Sequence, residues 1–99
     1  MKPAVLIIQQ NGIDANKHVI DAEDTLIGRS VHSDVKLADP GVSREHATIT
    51  WDGERYMVED LQSTNGTKVN DKRIRSCELE HNAQIQIGRT TIIFRLQED

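Results

Sequence analysis

What most constrains this chain is its strand rhythm, short runs alternating at period two and each closed within a few residues by a turn signal. Ala47-Thr48-Ile49-Thr50-Trp51 puts Ala47, Ile49 and Trp51 on one face and the threonines on the other. Gln84-Ile85-Gln86-Ile87 alternates the same way and stops at Gly88-Arg89. Thr91–Leu96 sets Ile92, Phe94 and Leu96 on one side with Ile93 opposite. Val5–Ile8 is closed by Asn11-Gly12 and Val35-Lys36-Leu37 by Asp39-Pro40-Gly41, while Thr67–Val69 and Lys72–Ile74 flank a tight turn at Asn70-Asp71. Lys17–Ile20 and Thr25–Ile27 are further short strands. Asp52-Gly53 predicts a type I′ turn leading into a return strand over Arg55–Asp60. No helix is expected, because Asp71–Ala83 has neither sustained 3.6-residue spacing nor a cap. A chain of this kind folds as an all-β sandwich or barrel.

The 99 residues predict one domain spanning 1–99, with its core at about 4–96 and a charged tail at 97–99 that frays or begins a linker. With 36% hydrophobic and 28% charged residues the chain can bury a core, which excludes a disordered polymer. A formal net charge of -4 argues against a protein that coats nucleic acid or an anionic membrane. Cys77 is the one cysteine, so no internal disulfide or thiolate cluster can form, and a reducing, cytoplasmic setting is expected. The apolar run Ala4–Ile8 ends at Gln9 after five residues, short of a signal-peptide core and far short of a membrane helix. His18, His32, His46 and His81 lack zinc-motif spacing, and neither a metal nor a cofactor is expected.

Three polar clusters sit where one run stops or the next begins. Gly28-Arg29 follows Leu26-Ile27, Ser43-Arg44-Glu45-His46 precedes Ala47, and Ser63-Thr64-Asn65-Gly66 separates Tyr56–Asp60 from Thr67–Val69. Taken singly, each is an ordinary turn. Together they hold the parts of an anion clamp on a rigid scaffold. Arg29 can offer a planar fork of donors, Ser43 a hydroxyl and Arg44 a second positive charge. Gly28 and Gly66 let backbone N–H groups turn toward a ligand, and Asn65 carries both the donor and the acceptor needed to grip an extended peptide.

In this order the clusters resemble the signature of the forkhead-associated (FHA) domain family: Gly-Arg, then Ser-x-x-His, then Asn-Gly. Ser33-Asp34-Val35 and Gln84-Ile85-Gln86-Ile87-Gly88 extend the similarity over essentially the whole chain. The resemblance implies an eleven-stranded β-sandwich of two twisted sheets, with ligand-binding loops at one end. It implies binding of phosphothreonine, in preference to phosphoserine, within an extended peptide. Arg29, Ser43 and Arg44 would bind the phosphate, and Thr64 and Asn65 the peptide. Gly28, His46 and Gly66 would be architectural, His46 bracing the loop that carries Ser43. The partner would be a phosphothreonine protein, met in trans or supplied in cis by a longer parent chain, and a Ser/Thr kinase pathway is implied. The loop 38–42 would help choose the residue after the phosphothreonine, with Asp39 favouring a basic one. Where the family often has Gly-Asp before its penultimate strand, this chain has His81-Asn82-Ala83, in a loop expected to lie away from the ligand.

Other classes fit less well. An enzyme would pair Ser43 with His46, yet no Gly-x-Ser-x-Gly elbow surrounds Ser43 and no orienting acid is evident. Cys77 has no basic phosphate-cradling loop beside it. A single-strand nucleic-acid binder needs stacking aromatics in a basic groove. Trp51, Tyr56 and Phe94 all sit on core-type strands, and Lys68, Lys72, Arg73 and Arg75 read as a solvated strand face. The alternative that keeps the fold is a phosphate-independent protein–protein scaffold, which would hold its partner after phosphatase treatment.

Overall fold

Two hydrophobic sheet faces, each too small to be stable alone, close on one another in this chain. The computed structural model describes residues 1–97; Glu98 and Asp99, within the expected tail, lie outside the described residues. The strands are β1 (Ala4–Gln10), β2 (Ile13–Val19), β3 (Asp24–Gly28), β4 (Val35–Lys36), β5 (Ala47–Trp51) and β6 (Tyr56–Asp60). They continue with β7 (Thr67–Val69), β8 (Lys72–Ile74), β9 (Ser76–Leu79), β10 (Ala83–Ile87) and β11 (Thr90–Leu96). One sheet has the order β2-β1-β11-β10-β7-β8 and the other β4-β3-β5-β6-β9. Only β3 and β4 pair in parallel among the described pairs. This is the eleven-stranded sandwich that the family resemblance implied.

The alternating runs supply the core. Leu6 and Ile8 of β1, Ile85 and Ile87 of β10 and Ile92 and Phe94 of β11 point inward from the six-stranded sheet, meeting Ile27, Ile49 and Val58 from the five-stranded one. Each such side chain contributes about 1.5–3 kcal/mol when fully buried. Trp51, Tyr56 and Phe94 pack on one another, with centroids 4.9 Å apart for Trp51–Tyr56 and 5.2 Å for Tyr56–Phe94. The Tyr56 hydroxyl donates to the Lys2 carbonyl at 2.5 Å. The aromatics are thus spent on packing and do not form a row of base-stacking platforms. No helix of the described residues is long and apolar enough to cross a membrane.

Differences from the sequence reading fall at edges and turns. β9 was not expected, because Ser76-Cys77-Glu78-Leu79 buries only Leu79 fully and pairs on one side alone, with β6. β2 starts at Ile13, earlier than Lys17, and ends before Ile20. Almost wholly exposed, it carries no apolar rhythm; the left-handed Asn11 and Gly12, at φ 56° and 76°, fold it back on β1. The β5–β6 turn is not type I′. Gly53 has positive φ but Asp52 does not, and the Asp52 carboxylate instead accepts the N–H groups of Glu54 and Arg55. At Asn70-Asp71 both residues are left-handed, as a two-residue type I′ hairpin requires.

Candidate functional site

The connections β3–β4, β4–β5 and β6–β7 are threaded together by hydrogen bonds that leave a hollow between them. Gly28 makes the first approach possible. Its backbone lies so close to the β4–β5 segment that an added Cβ would stand 2.0 Å from the Arg44 carbonyl oxygen. Across this contact Arg29 N–H donates to Ser43 O at 3.1 Å and Ser30 N–H to Arg44 O at 3.0 Å. His46, fully buried, joins the other pair of loops. Its Nδ1 accepts the Ser43 N–H at 3.0 Å, so the ring proton sits on Nε2 and is donated to the Gly66 carbonyl at 2.8 Å. Both ring nitrogens are committed to backbone partners, and neither faces the Ser43 hydroxyl as a general base would.

The β6–β7 loop is tied by Asp60. Its Oδ1 accepts the hydroxyls of Ser63 and Thr67, its Oδ2 accepts Ser63 N–H, and Ser63 Oγ in turn accepts Gly66 N–H at 2.9 Å. Burial pushes the Asp60 carboxyl up, but the donors from Ser63 and Thr67 outweigh it and hold the pKa below its ordinary value. Gly66 sits at φ 87°, a left-handed geometry that suits glycine.

The resulting hollow, about 140 Å³, is lined by Arg29, Pro40, Gly41, Val42, Ser43, Thr64 and Asn65. Arg29 is steered by one bond, Nε–H to the Val42 carbonyl at 2.6 Å, which leaves both terminal amino groups unengaged by described residues. Ser43 Oγ accepts the Thr64 N–H at 3.1 Å, so its own hydrogen is free to point at an anion. Asn65 donates through Nδ2 to the Gly41 carbonyl at 3.0 Å, leaving its Oδ1 as an exposed acceptor. A guanidinium fork, a hydroxyl and an amide carbonyl therefore face one concavity, which can hold an oxyanion and a neighbouring peptide N–H.

Of the sequence-predicted residues, Arg29, Ser43, Thr64 and Asn65 line the hollow, and Gly28, His46 and Gly66 brace it. Arg44 is not among the lining residues: its side chain is exposed, and its backbone carbonyl is what meets Ser30. The reading of Asp39 is corrected. Asp39 is 6% exposed, with Oδ1 accepting Gly41 N–H and Oδ2 accepting Arg89 N–H and the Thr90 hydroxyl at 2.8–2.9 Å. Turned inward and accepting three hydrogen bonds from its own chain, it is not presented to a basic ligand residue. Burial raises its pKa, and the three hydrogen bonds with the nearby Arg89 charge more than reverse that.

The bracing role of Asp60, and the inward rather than ligand-facing role of Asp39, are what the sequence reading missed. Their signals were present: aspartates bond the N–H two or three residues on, and Asp39-Pro40-Gly41 and Asp60-Leu61-Gln62-Ser63 have that spacing. The departing loop at His81-Asn82 is at the far end of β10 from Gly88, whose Cα lies against Gly41. It is remote from the hollow, as expected. A larger concavity, about 770 Å³, lies between Glu59–Ser63 and Arg73–Ser76 and shares no lining residue with the hollow.

Comparison with known proteins agrees with this geometry. The family model for the FHA domain matches residues 25–88. The chain is 36% identical over 91 residues to the oxoglutarate dehydrogenase inhibitor of Corynebacterium jeikeium, covering 92% of this chain and 63% of that protein. It thus spans less than two thirds of that curated relative. An FHA domain solved for the analysis of phosphothreonine-dependent FHA interactions has a TM-score of 0.89 at 32% identity, covering 98% of this chain and 99% of that one. The FhaA FHA domain, solved in complex with the intracellular domain of another protein, has a TM-score of 0.85 at 34% identity, covering 93% of this chain and 99% of that one. With more than half its length matched and its loops joined as described, the chain belongs to the FHA domain family.

Proposed function

We propose that this chain is a phosphothreonine-dependent peptide-binding module of a regulatory or signalling protein. The observation that carries the reading is the convergence of the terminal amino groups of Arg29, the Ser43 hydroxyl and Asn65 on one small hollow. A phosphothreonine brings about -1.5 to -2 charge and three strong acceptor oxygens. The Arg29 fork takes two oxygens and Ser43 a third, while Asn65 Oδ1 accepts an N–H of the peptide backbone. Arg44, exposed beside Ser43, adds positive field. Pro40 and Val42 give the hollow apolar atoms that suit the γ-methyl of threonine. That methyl is worth about 0.8 kcal/mol, or roughly fourfold over phosphoserine.

No catalytic step is assigned. His46 is occupied by backbone, and burial raises the Cys77 thiol pKa, which disfavours the reactive thiolate. The ligand is a protein phosphorylated by a Ser/Thr kinase, reached in trans or in cis, and the setting is cytoplasmic. The relatives solved with phosphothreonine-dependent interactions and with a partner domain support the same reading.

Titrating one peptide in phosphothreonine, phosphoserine and unphosphorylated forms tests it. The expected order is phosphothreonine first, phosphoserine several-fold weaker, and no measurable binding without phosphate. Equal binding of all three forms contradicts the reading and supports the phosphate-independent scaffold.

A further inference from the structure

A second hollow adjoins the first through Asn65. It is about 170 Å³ and is lined by Asn65, Gly66, Lys68, Gln86 and Gly88. Lys68 is exposed on β7, one strand in from the edge of the six-stranded sheet, with Arg73 of β8 as its partner on one side and Gln86 of β10 on the other. Its cross-strand neighbours are therefore a second cation and a neutral amide. Arg73 is not a freely waving side chain at its base of contact. Its guanidinium rests on Gly66, where an added Cβ would come within 2.8 Å of Nε and 2.9 Å of Cζ. Gly66 thus has a role beyond its turn geometry: the missing side chain is the seat of a cation.

Neither Lys68 nor Arg73 makes an ion pair among the described residues, although the chain carries 16 carboxylate side chains against 12 Lys and Arg. Glu59 and Asp60 line the larger groove together with Arg73, yet neither carboxylate is within ion-pair distance of it. Asp39 and Asp60 are held by hydroxyls and N–H groups of the loops. Two positive groups therefore flank Asn65-Gly66 in a protein of net negative charge, beside the residue proposed to grip the peptide.

We infer that Lys68 and Arg73 determine specificity, selecting phosphothreonine ligands that carry an aspartate or glutamate side chain within about three residues of the phosphothreonine. The inference rests on the phosphothreonine reading of the first hollow. An extended peptide advances about 3.3–3.6 Å per residue, so a chain crossing Asn65 brings a neighbouring side chain over the second hollow within that reach. The pairing is exposed, which sets its size. Two exposed ion pairs together give roughly a three- to tenfold preference, and salt screens them.

The test uses phosphothreonine peptides in which one glutamate is moved through the three positions on either side, with an all-neutral flank as reference. Dissociation constants are measured for the unaltered protein, Lys68→Gln, Arg73→Lys and Lys68→Gln/Arg73→Gln, each checked for folding by its thermal transition. At one or more positions glutamate tightens binding about three- to tenfold at low salt, and the advantage shrinks towards one at 1 M salt. The glutamate-to-neutral ratio falls in Lys68→Gln, survives in Arg73→Lys and approaches one in the double variant. No glutamate advantage at any position, or the same advantage in a folded double variant, overturns the inference. Failure of the neutral phosphothreonine peptide itself to bind would instead overturn the phosphothreonine reading and this inference with it.

Discussion

Arg29 shows how one residue can be legible in sequence while its mode of use is not. A Gly-Arg dipeptide at a strand end announces a donor fork near a turn, but nothing in the letters says that Nε is spent on the Val42 carbonyl. That bond matters because it fixes the guanidinium before any ligand arrives, lowering the ordering cost of binding. Charge-assisted hydrogen bonds contribute about 1.5–3 kcal/mol each. Arg29→Ala is therefore expected to weaken a phosphothreonine peptide roughly ten- to a hundredfold or more, as read by calorimetric titration. Unchanged affinity would remove Arg29 from the site. Gly28 makes a different prediction at the same scale. Gly28→Ala places a methyl where the Arg44 carbonyl already is, so the β4–β5 segment must move. A loss of about 1–3 kcal/mol in denaturant melts is expected, together with weaker peptide binding because Ser43 shifts.

Among elements, the β4–β5 loop is the one whose hold sequence reading misjudged. The family resemblance puts Asp39 in a loop that helps choose the residue after the phosphothreonine, where a carboxylate would favour a basic one. Instead it straps the loop to the β10–β11 turn, fifty residues away in sequence, and no local pattern encodes that partner. The central strands were readable because alternation is local; β2 was legible only over its last residues and β9 not at all, since edge strands take their identity from pairing. The strap predicts a pH effect. Asp39 and Asp60 have folded pKa values below 3.8, so they favour the folded state above their unfolded pKa, and that contribution is lost as pH falls through the folded values. Urea melts from pH 7 to pH 2 should show stability declining below about pH 4. Asp39→Asn should be less stable at pH 7 and show a shallower decline. An identical slope in that variant would deny Asp39 its role.

At the level of the whole molecule, the hollow exists only while the two sheets stay closed. Ser43 and Arg29 hang from the five-stranded sheet, whereas Asp39 is anchored on β11 of the six-stranded one. Ligand binding and global folding are therefore linked. A phosphothreonine peptide at a hundred times its Kd should stabilise the fold by about 2.7 kcal/mol. For a domain of this size that raises Tm by on the order of 10 °C in a thermal scan, with no rise for the unphosphorylated peptide. Strand rhythm by itself left sandwich or barrel open, and the ordered polar clusters, through the family they resemble, pointed to the sandwich. The meeting of the loops was not legible from the residues alone, since it depends on contacts between distant segments.

In the proposed function one pre-shaped hollow, lined by Arg29, Ser43, Thr64 and Asn65, takes the phosphoryl group. Backbone amide chemical shifts followed by NMR during titration with a phosphothreonine peptide test it most directly. The largest changes are expected on Arg29, Ser43, Thr64 and Asn65, with the strands of the core nearly unmoved. Changes centred on the larger groove between Glu59–Ser63 and Arg73–Ser76, with Arg29 and Ser43 undisturbed, would contradict it.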